Sequence, residues 1–144
     1  MKFFIFIVFV MAGLSMEVIW TAIVWFFKKK KMKLVGSTSL WMIPFYAIIP
    51  YVFCFIRRYF FNYDIFFRGF VYMFIIFSLE YTYGLICRNI LKVSPWDYSK
   101  DTQDHTGYHC KFNIKGLITL EFIPLWYIMG IIGELLYSYL LLIV

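Results

Sequence analysis

The sequence has little charge, little proline and few cysteines for its length. Charged residues make up only 15% of the 144 residues, whereas hydrophobic residues make up 63% and aromatic residues 24%. An ordinary soluble domain carries about 25% charged residues, and a globule of this size has too little interior for so many apolar side chains. The composition therefore excludes a soluble enzyme, a DNA-binding domain and a disordered regulator. It predicts a small multi-pass membrane protein.

Motifs for chemistry are also missing. The sequence contains no Walker-type phosphate loop, nucleophile elbow, Cys-x-x-Cys or His-Glu-x-x-His pattern. The three cysteines are an odd number without close pair spacing, so they predict no disulfide framework. We therefore expect no catalytic residue, no enzyme activity and no cofactor apart from a bound lipid.

A polar stretch at residues 100–115 contains both histidines of the chain. His105 and His109 are four residues apart, with Asp104 and Cys110 beside them, and these residue types can bind zinc. The stretch resembles a surface loop, however, so two exposed histidines without a metal are the expected arrangement. We also expect residues 100–115 to be the most variable and mobile part of the chain.

The net charge of +6 does not indicate nucleic acid. All fourteen Lys and Arg lie outside the long apolar runs, as is typical of cations that flank membrane spans and meet lipid headgroups. The expected partners are membrane lipids and either another integral membrane protein or a second copy of this chain.

Four apolar runs are long enough to cross a bilayer, which takes about 20 residues in a helix. They predict helices at about residues 3–27, 36–56, 67–90 and 116–143, with a polar loop at residues 92–115. The predicted fold is all-α: a four-helix transmembrane bundle that forms a single polytopic domain over residues 1–144. Proline is expected to kink two of the helices. It occurs at Pro44 and Pro50 in the second helix and at Pro124 in the fourth.

The distribution of cations predicts an orientation. Residues 28–33 and residues 88–115 contain five Lys or Arg each, and the remaining four lie on the other side of the predicted membrane. Cytosolic loops carry the excess of cations, so both of these loops should be cytosolic and both termini lumenal or exterior. The pair Arg57-Arg58 opposes this assignment. We expect an endomembrane, such as that of the endoplasmic reticulum.

Half of the eight acidic residues lie inside the apolar runs: Glu17, Glu80, Glu121 and Glu134. Such carboxylates face the bundle interior, become protonated or find a partner, because an ionised carboxylate against lipid is costly. Counted along the helices from the flanking cations, the first three lie at depths of about 17, 12 and 9 Å below one membrane face. We therefore predict that these three form a buried acidic cluster, and that Glu134 forms a second polar site nearer the opposite face.

Small residues accompany the intramembrane acids at helical spacing. Residues four apart share a helix face, and a small residue there allows a neighbouring helix to approach closely. The predicted helix-packing residues are Gly13, Thr21, Gly84, Gly130, Gly133 and Ser138. Two interpretations of the acids stay open: they are polar contacts between helices, or they bind a proton, a cation or a lipid amine.

The stretch from Pro95 to Ser99 stands out in the polar loop. Pro95 should end the third helix, while Trp96 and Tyr98 suit the membrane–water boundary. Asp97 can accept backbone hydrogen bonds in a turn that includes Ser99. The expected role is a structural loop anchored at the interface, and the alternative is a docking motif.

Several of these motifs occur together, in a fixed order. They are Ala12-Gly13-Leu14-Ser15-Met16-Glu17-Val18, Ser39-Leu40-Trp41, Glu80-Tyr81-Thr82 followed by Gly84, Arg88, Pro95–Ser99, and Gly116–Phe122. In this order the sequence resembles the transmembrane protein 229 family, which is itself similar to bacterial proteins described as ABC-transporter type IV permeases. The resemblance extends from about Gly13 to Glu134, although residues 100–115 form a longer connection than the family usually has. It implies a small polytopic protein with about four helices and no established biochemical role.

Two functions fit these observations. The first is a non-enzymatic accessory or scaffolding subunit of a larger membrane complex, in particular one that handles lipids. The second is a transporter-like module in which buried Glu residues bind a proton, a cation or a lipid amine. We expect the first, because four short helices form a thin bundle without a soluble domain.

Overall fold

The computed structural model describes residues 3–29, 34–101 and 108–143, apart from the side chain of Lys29. Part of the first predicted cytosolic loop, residues 30–33, lies outside the described residues. Residues 102–107 also lie outside the described residues, and they include Asp104 and His105 of the zinc site considered above.

Four helices form the chain's framework: α1 (Phe3–Lys29), α2 (Met42–Phe60), α3 (Ile65–Ile86) and α4 (Ile123–Ile143). All four are long and apolar enough to cross a membrane. The prediction of an all-α membrane protein with four transmembrane helices is therefore confirmed.

The third helix has a clear beginning and end. The carboxylate of Asp64 caps its start, accepting hydrogen bonds from the backbone amides of Phe66 at 2.8 Å and Phe67 at 3.1 Å. After Ile86 the chain continues as a π-helical turn, which ends at Lys92 with a left-handed φ of 58°.

The second helix begins six residues later than predicted, at Met42 instead of residue 36. Residues 34–41 form no helix and lie beside α1, where Thr21 bonds the backbone of Ser37. The Thr21 hydroxyl accepts a hydrogen bond from the Ser37 amide at 2.9 Å and is 3.0 Å from the Ser37 carbonyl oxygen. Gly36 lies so close to the Val18 carbonyl that any Cβ would collide with it. Non-helical backbone at this depth is tolerated when protein groups satisfy it.

The fourth helix also begins later than predicted, at Ile123 instead of residue 116. Two short antiparallel strands, β1 (Asn113–Ile114) and β2 (Ile118–Thr119), precede it, and a 3-10 turn follows them. The apolar run predicts a helix here, but the turn between the strands places Lys115 and Gly116 at positive φ. Left-handed residues interrupt an α-helix.

The prolines have different effects from those predicted. Pro124 lies in the first turn of α4, where its missing N–H needs no partner, so it marks the start of the helix and does not kink its middle. Pro44 lies in the first turn of α2 in the same way. Pro50 lies inside α2. Because proline has no N–H, the Tyr46 carbonyl lacks its helical hydrogen-bond partner there, which is the condition for the kink predicted in the second helix.

The helices pack as two pairs. Helix α1 lies along α2, and α3 lies along α4, while α2 joins the pairs through contacts to α3 and α4. Phe53 lies at the centre, and its ring contacts those of Phe9, Tyr72 and Tyr137 at centroid distances of 5.4, 4.8 and 6.0 Å. Helices α1 and α4 hardly touch through their backbones.

Residues 94–101 and 108–122 fold over one end of the bundle, and we call them the cap. Its side chains Trp96, Tyr108 and Cys110 are buried, whereas Lys100, Asp101, His109 and Lys111 are exposed. The predicted mobility of residues 100–115 stays a prediction. The indole N–H of Trp20 donates to the Tyr108 hydroxyl at 2.7 Å, and an ion pair of 2.9 Å joins Lys28 to Asp101. The cap is therefore fixed to α1.

Candidate functional site

A cavity of about 180 Å³ lies between the two helix pairs, beneath the cap. All four helices and the cap contribute to its wall, which is apolar except at the end nearest the cap. We call it the pocket. Its polar and aromatic lining at that end comprises Glu17, Trp20, Tyr46, Glu80, Trp96, Tyr98 and Trp126.

Glu80 of α3 is the most buried acid of the pocket, with only 3% of its surface exposed. The hydroxyl of Tyr98 donates to Glu80 Oε1 at 3.1 Å. Glu80 Oε2 is buried and has no hydrogen-bond partner among the residues that the structure describes. The indole of Trp126 lies beside this carboxylate, but its buried N–H does not complete a hydrogen bond. One carboxylate oxygen is therefore left without a donor.

Glu17 of α1 lines the same end of the pocket. It accepts a hydrogen bond from the hydroxyl of Thr38, so the segment of residues 34–41 before α2 holds the Glu17 side chain in place. Glu17 and Glu80 are close enough to repel each other when both are ionised, and Tyr46 is within electrostatic reach of both. The structure thus brings together two of the three acids predicted to converge.

Glu121 does not join them. It is exposed in the 3-10 turn before α4, and its carboxylate accepts a hydrogen bond from the Lys111 amide at 2.9 Å. The reason is the late start of α4: the prediction placed Glu121 inside a helix that begins at residue 116, whereas the chain there is still part of the cap. The acidic cluster is therefore a pair and not a triad.

Glu134, the predicted second polar site, lies away from the pocket in a buried ion pair. Arg68 donates to it twice, from Nε to Oε2 at 3.0 Å and from Nη2 to Oε1 at 2.8 Å. The same guanidinium donates to the carbonyls of Phe61 and Tyr63. Arg68 directly precedes the apolar run Gly69–Cys87, so the sequence alone indicates a flanking cation, but α3 begins at Ile65 and includes Arg68.

Within the motif loop Pro95, Trp96 and Tyr98 are buried in the protein, whereas Ser99 is exposed. The placement of this loop at the membrane–water boundary stays a prediction. Trp96 donates from its indole to the Leu117 carbonyl at 2.7 Å, and Tyr98 bonds through its backbone to Gly116 and Cys110 at 2.9 Å each. Pro95 follows the end of the third helical segment, as predicted.

Asp97 closes a turn within this loop. It accepts hydrogen bonds from the backbone amide of Ser99 at 2.8 Å and from its hydroxyl at 2.6 Å. Arg88 lies 3.8 Å from the same carboxylate oxygen. These contacts assign the loop a structural role and, through Tyr98, a place in the pocket.

The six predicted helix-packing residues all lie at close contacts between elements. A Cβ on Gly13 would collide with the Tyr46 ring, one on Gly130 with Tyr72, and one on Gly133 with Phe53. On Gly84 it would lie 2.7 Å from a Leu117 methyl group, so this glycine accommodates the cap and not a helix. The two hydroxyl residues make side-chain hydrogen bonds: Thr21 with Ser37 and Ser138 with Arg57.

Burial controls the chemistry of the cap side chains. Burial, and then the charge of Glu80, raise the pKa of Tyr98 well above its ordinary value, so its hydroxyl stays protonated and can donate to Glu80. Burial raises the pKa of the Cys110 thiol to about 11, so little reactive thiolate forms at neutral pH.

Three residues of the pocket were not predicted as site residues in this role: Tyr46, Trp126 and Tyr98. The motif loop drew attention to Tyr98, but only the folding of the cap into the bundle shows that its hydroxyl meets Glu80. Tyr46 and Trp126 carry no signal in a chain with so many aromatic residues.

The comparison with known protein families identifies a relationship along almost the whole chain. The profile of one family, described as "Putative ABC-transporter type IV", matches residues 4–142. No solved structure matches the chain. The matched range includes all four helices, the cap and both pocket carboxylates, and the chain therefore belongs to this family.

Proposed function

We propose that the chain is a non-enzymatic accessory subunit of a larger membrane complex, and that it binds the apolar part of a lipid in its pocket. The pocket is the observation on which this proposal rests. Its wall is apolar along α1 and α4, and two of its lining residues, Met16 and Ile132, are 40% and 49% exposed. An apolar cavity that reaches the lipid-facing surface suits a hydrocarbon chain.

The accessory role is supported by the size of the bundle. Four helices form a thin wall, and the family description refers to transporters, which move a substrate through a membrane. A larger complex would supply the rest of such a path. Within the family, we assign the chain to the transmembrane protein 229 group, on the motifs that it shares with that group.

Lipid binding is tested by filling the pocket. Met129 lines it, whereas the neighbouring Ile128 points away and is 52% exposed. We expect Met129→Trp to abolish the lipid adducts that native mass spectrometry detects after extraction in mild detergent. Ile128→Trp is the matched control and should keep them. Equal adducts on both variants would refute pocket binding.

The subunit role is tested separately by identifying what purifies with the native protein. A stoichiometric larger membrane protein supports it, and a chain that purifies alone contradicts it.

A transporter-like module is the second candidate, and the pairing of Glu17 with Glu80 favours it. Two carboxylates at one end of a cavity can exchange a proton or a cation. Proton or cation flux in liposomes that contain the chain alone, lost on Glu80→Gln, would support this function over the accessory role.

We also propose the orientation given by the cations, with the cap on the cytosolic side of an endomembrane. The described cations of the cap side include Lys28, Arg88 and Lys111.

A further inference from the structure

We infer that the pocket selects a single-chain amphiphile with a primary ammonium group and no phosphate, held with its nitrogen between Glu17 and Glu80. The inference rests on the proposed function, since it names the class of lipid that the same pocket would take.

The first step is the imbalance of charge in the pocket. Among the described residues that line it, two are acids and none is Lys or Arg. Glu134 shows the contrast, because the guanidinium of Arg68 neutralises it within the same bundle. A ligand that carries a positive charge would provide for Glu17 and Glu80 what Arg68 provides for Glu134.

The second step is the unpaired oxygen. Glu80 lines the pocket, and its buried Oε2 has no completed hydrogen bond in the described part of the chain, although the Trp126 indole lies beside the carboxylate. A primary ammonium has three N–H donors, enough for both carboxylates, whereas a quaternary ammonium has none. Trp20, Tyr46 and Trp126 line the same end of the pocket, and aromatic faces add to the attraction for a cation.

The third step excludes a phosphate. A phosphate next to the amine would lie beside two carboxylates, and no cationic side chain of the described pocket lining is there to pair with it. A zwitterionic phospholipid headgroup therefore fits less well than a simple long-chain amine.

The fourth step is the route of access. The cap side chains Trp96 and Tyr98 are buried and line the end of the pocket nearest the cap. Helix α1 contacts the 3-10 turn that precedes α4 through Trp20 and Phe122, with 5.6 Å between ring centroids, and it contacts α4 itself through Phe9 and Tyr137, 6.3 Å apart.

Between those two contacts α1 lines the pocket with Ala12, Gly13, Met16 and Glu17. The contacts are about 16 Å apart along α1, counted from Phe9 to Trp20, and the backbones of α1 and α4 make little contact. A ligand would pass between these two helices sideways from the bilayer, with its chain in the apolar part of the pocket.

The experiment uses the full chain in neutral-detergent micelles and four probes, with native mass spectrometry as the readout. Dodecylamine should bind. Dodecyltrimethylammonium and dodecanol should bind at least about tenfold more weakly, as expected for loss of charge-assisted hydrogen bonds. Butylamine, which has the amine but no long chain, should not bind detectably. Butylamine bound as well as dodecylamine would indicate a water-soluble amine and overturn access from the bilayer.

Substitutions of the carboxylates test where the amine of the bound dodecylamine lies. Glu80→Gln keeps an acceptor for Tyr98 but removes the charge, and should weaken dodecylamine binding about tenfold or more. Glu121→Gln is the matched control, because it makes the same change on an exposed carboxylate of the cap, and it should leave binding unchanged. Should Glu80→Gln fail to yield a monodisperse protein, Glu17→Gln takes its place with the same expected loss.

The outcomes separate this inference from the proposed function. If dodecanol binds as well as dodecylamine and Gln at position 80 or 17 has no effect, the amine inference is wrong while lipid binding stands. If no long-chain probe binds to the wild-type chain, both are wrong.

Discussion

Buried carboxylates in this bundle are stable only with a donor, and Glu134 is the clearest example. Both of its oxygens accept from Arg68, at 3.0 and 2.8 Å. The guanidinium keeps two further acceptors in the carbonyls of Phe61 and Tyr63, so little of its hydrogen-bonding capacity is left unused. Removal of one partner leaves an uncompensated charge in an apolar environment.

The first prediction concerns this pair. Arg68→Met should lower the free energy of unfolding by about 3–5 kcal/mol, because it leaves Glu134 ionised and unpaired in the interior. The double variant Arg68→Met with Glu134→Leu should recover most of the loss, since neither charge is then buried. Denaturant unfolding in micelles measures both. A single variant as stable as the wild type would contradict the prediction.

The second prediction compares two glycines. Gly130→Ala places a methyl group against Cβ of Tyr72, an atom fixed to the α3 backbone, so the helices must separate. We expect a loss of about 1–3 kcal/mol in unfolding free energy. Gly69→Ala is the matched change on α3, and its methyl group meets the edge of the Tyr127 ring, 2.6 Å away, which can swing aside. Helix propensity favours Ala at both positions, so equal stability changes for the two variants would show that the close approach of α3 and α4 at Gly130 does not control stability.

The surroundings of a single residue can be predicted from the sequence where they depend on its position on one helix face. Glycines at spacing four from an acid lie at close contacts because the same helix face carries both. Glu121 and Arg68 could not be placed, because each lies within a few residues of a helix end. A helix start that shifts by a few residues moves such a side chain from the interior to the surface, or the reverse.

At the scale of elements, the cap is the part that hydrophobic patterning does not reveal. Residues 116–122 are apolar enough to continue α4, yet Lys115 and Gly116 adopt φ values of 54° and 68° and turn the chain back on itself. Residues 34–41 are not helical either, and they lie against α1 through the hydrogen bond from the Ser37 amide to Thr21 and the close approach of Gly36 to the Val18 carbonyl. Tertiary contacts determine the conformation of both segments, and the periodicity of apolar residues along the sequence carries no information about those contacts.

The third prediction tests the turn of the cap. Gly116→Ala puts a Cβ 2.5 Å from Asp97 Oδ1 at a left-handed φ, and should cost about 1–3 kcal/mol of stability. Lys115→Gly introduces a glycine at the neighbouring left-handed position. It should be neutral or should stabilise the protein by up to about 1 kcal/mol, because glycine adopts positive φ without strain. Thermal unfolding in micelles compares them. A Gly116→Ala variant as stable as Lys115→Gly would show that the turn is not constrained.

At the scale of the whole molecule, the arrangement in the membrane depends on which face carries the cap. The fourth prediction is that Lys100→Cys, whose side chain is 72% exposed in the wild type, reacts with a membrane-impermeant maleimide from the cytosolic side only. Asn62→Cys, in the exposed turn between α2 and α3, should react only from the other side. The native thiol of Cys54 is first replaced by Ala, and the buried Cys110 should stay unlabelled in the folded protein. The reverse pattern would invert the proposed orientation.

The ion pair between α3 and α4 has a consequence for how the chain is made. Arg68 is synthesised long before Glu134, so α3 reaches the membrane with a guanidinium whose partner is still inside the ribosome. A charge in the middle of an inserting helix costs about 2.5–3.5 kcal/mol on translocon scales, and less near its end. We therefore expect α3 and α4 to enter the lipid together as a hairpin, because Glu134 neutralises the Arg68 guanidinium only when both helices are present.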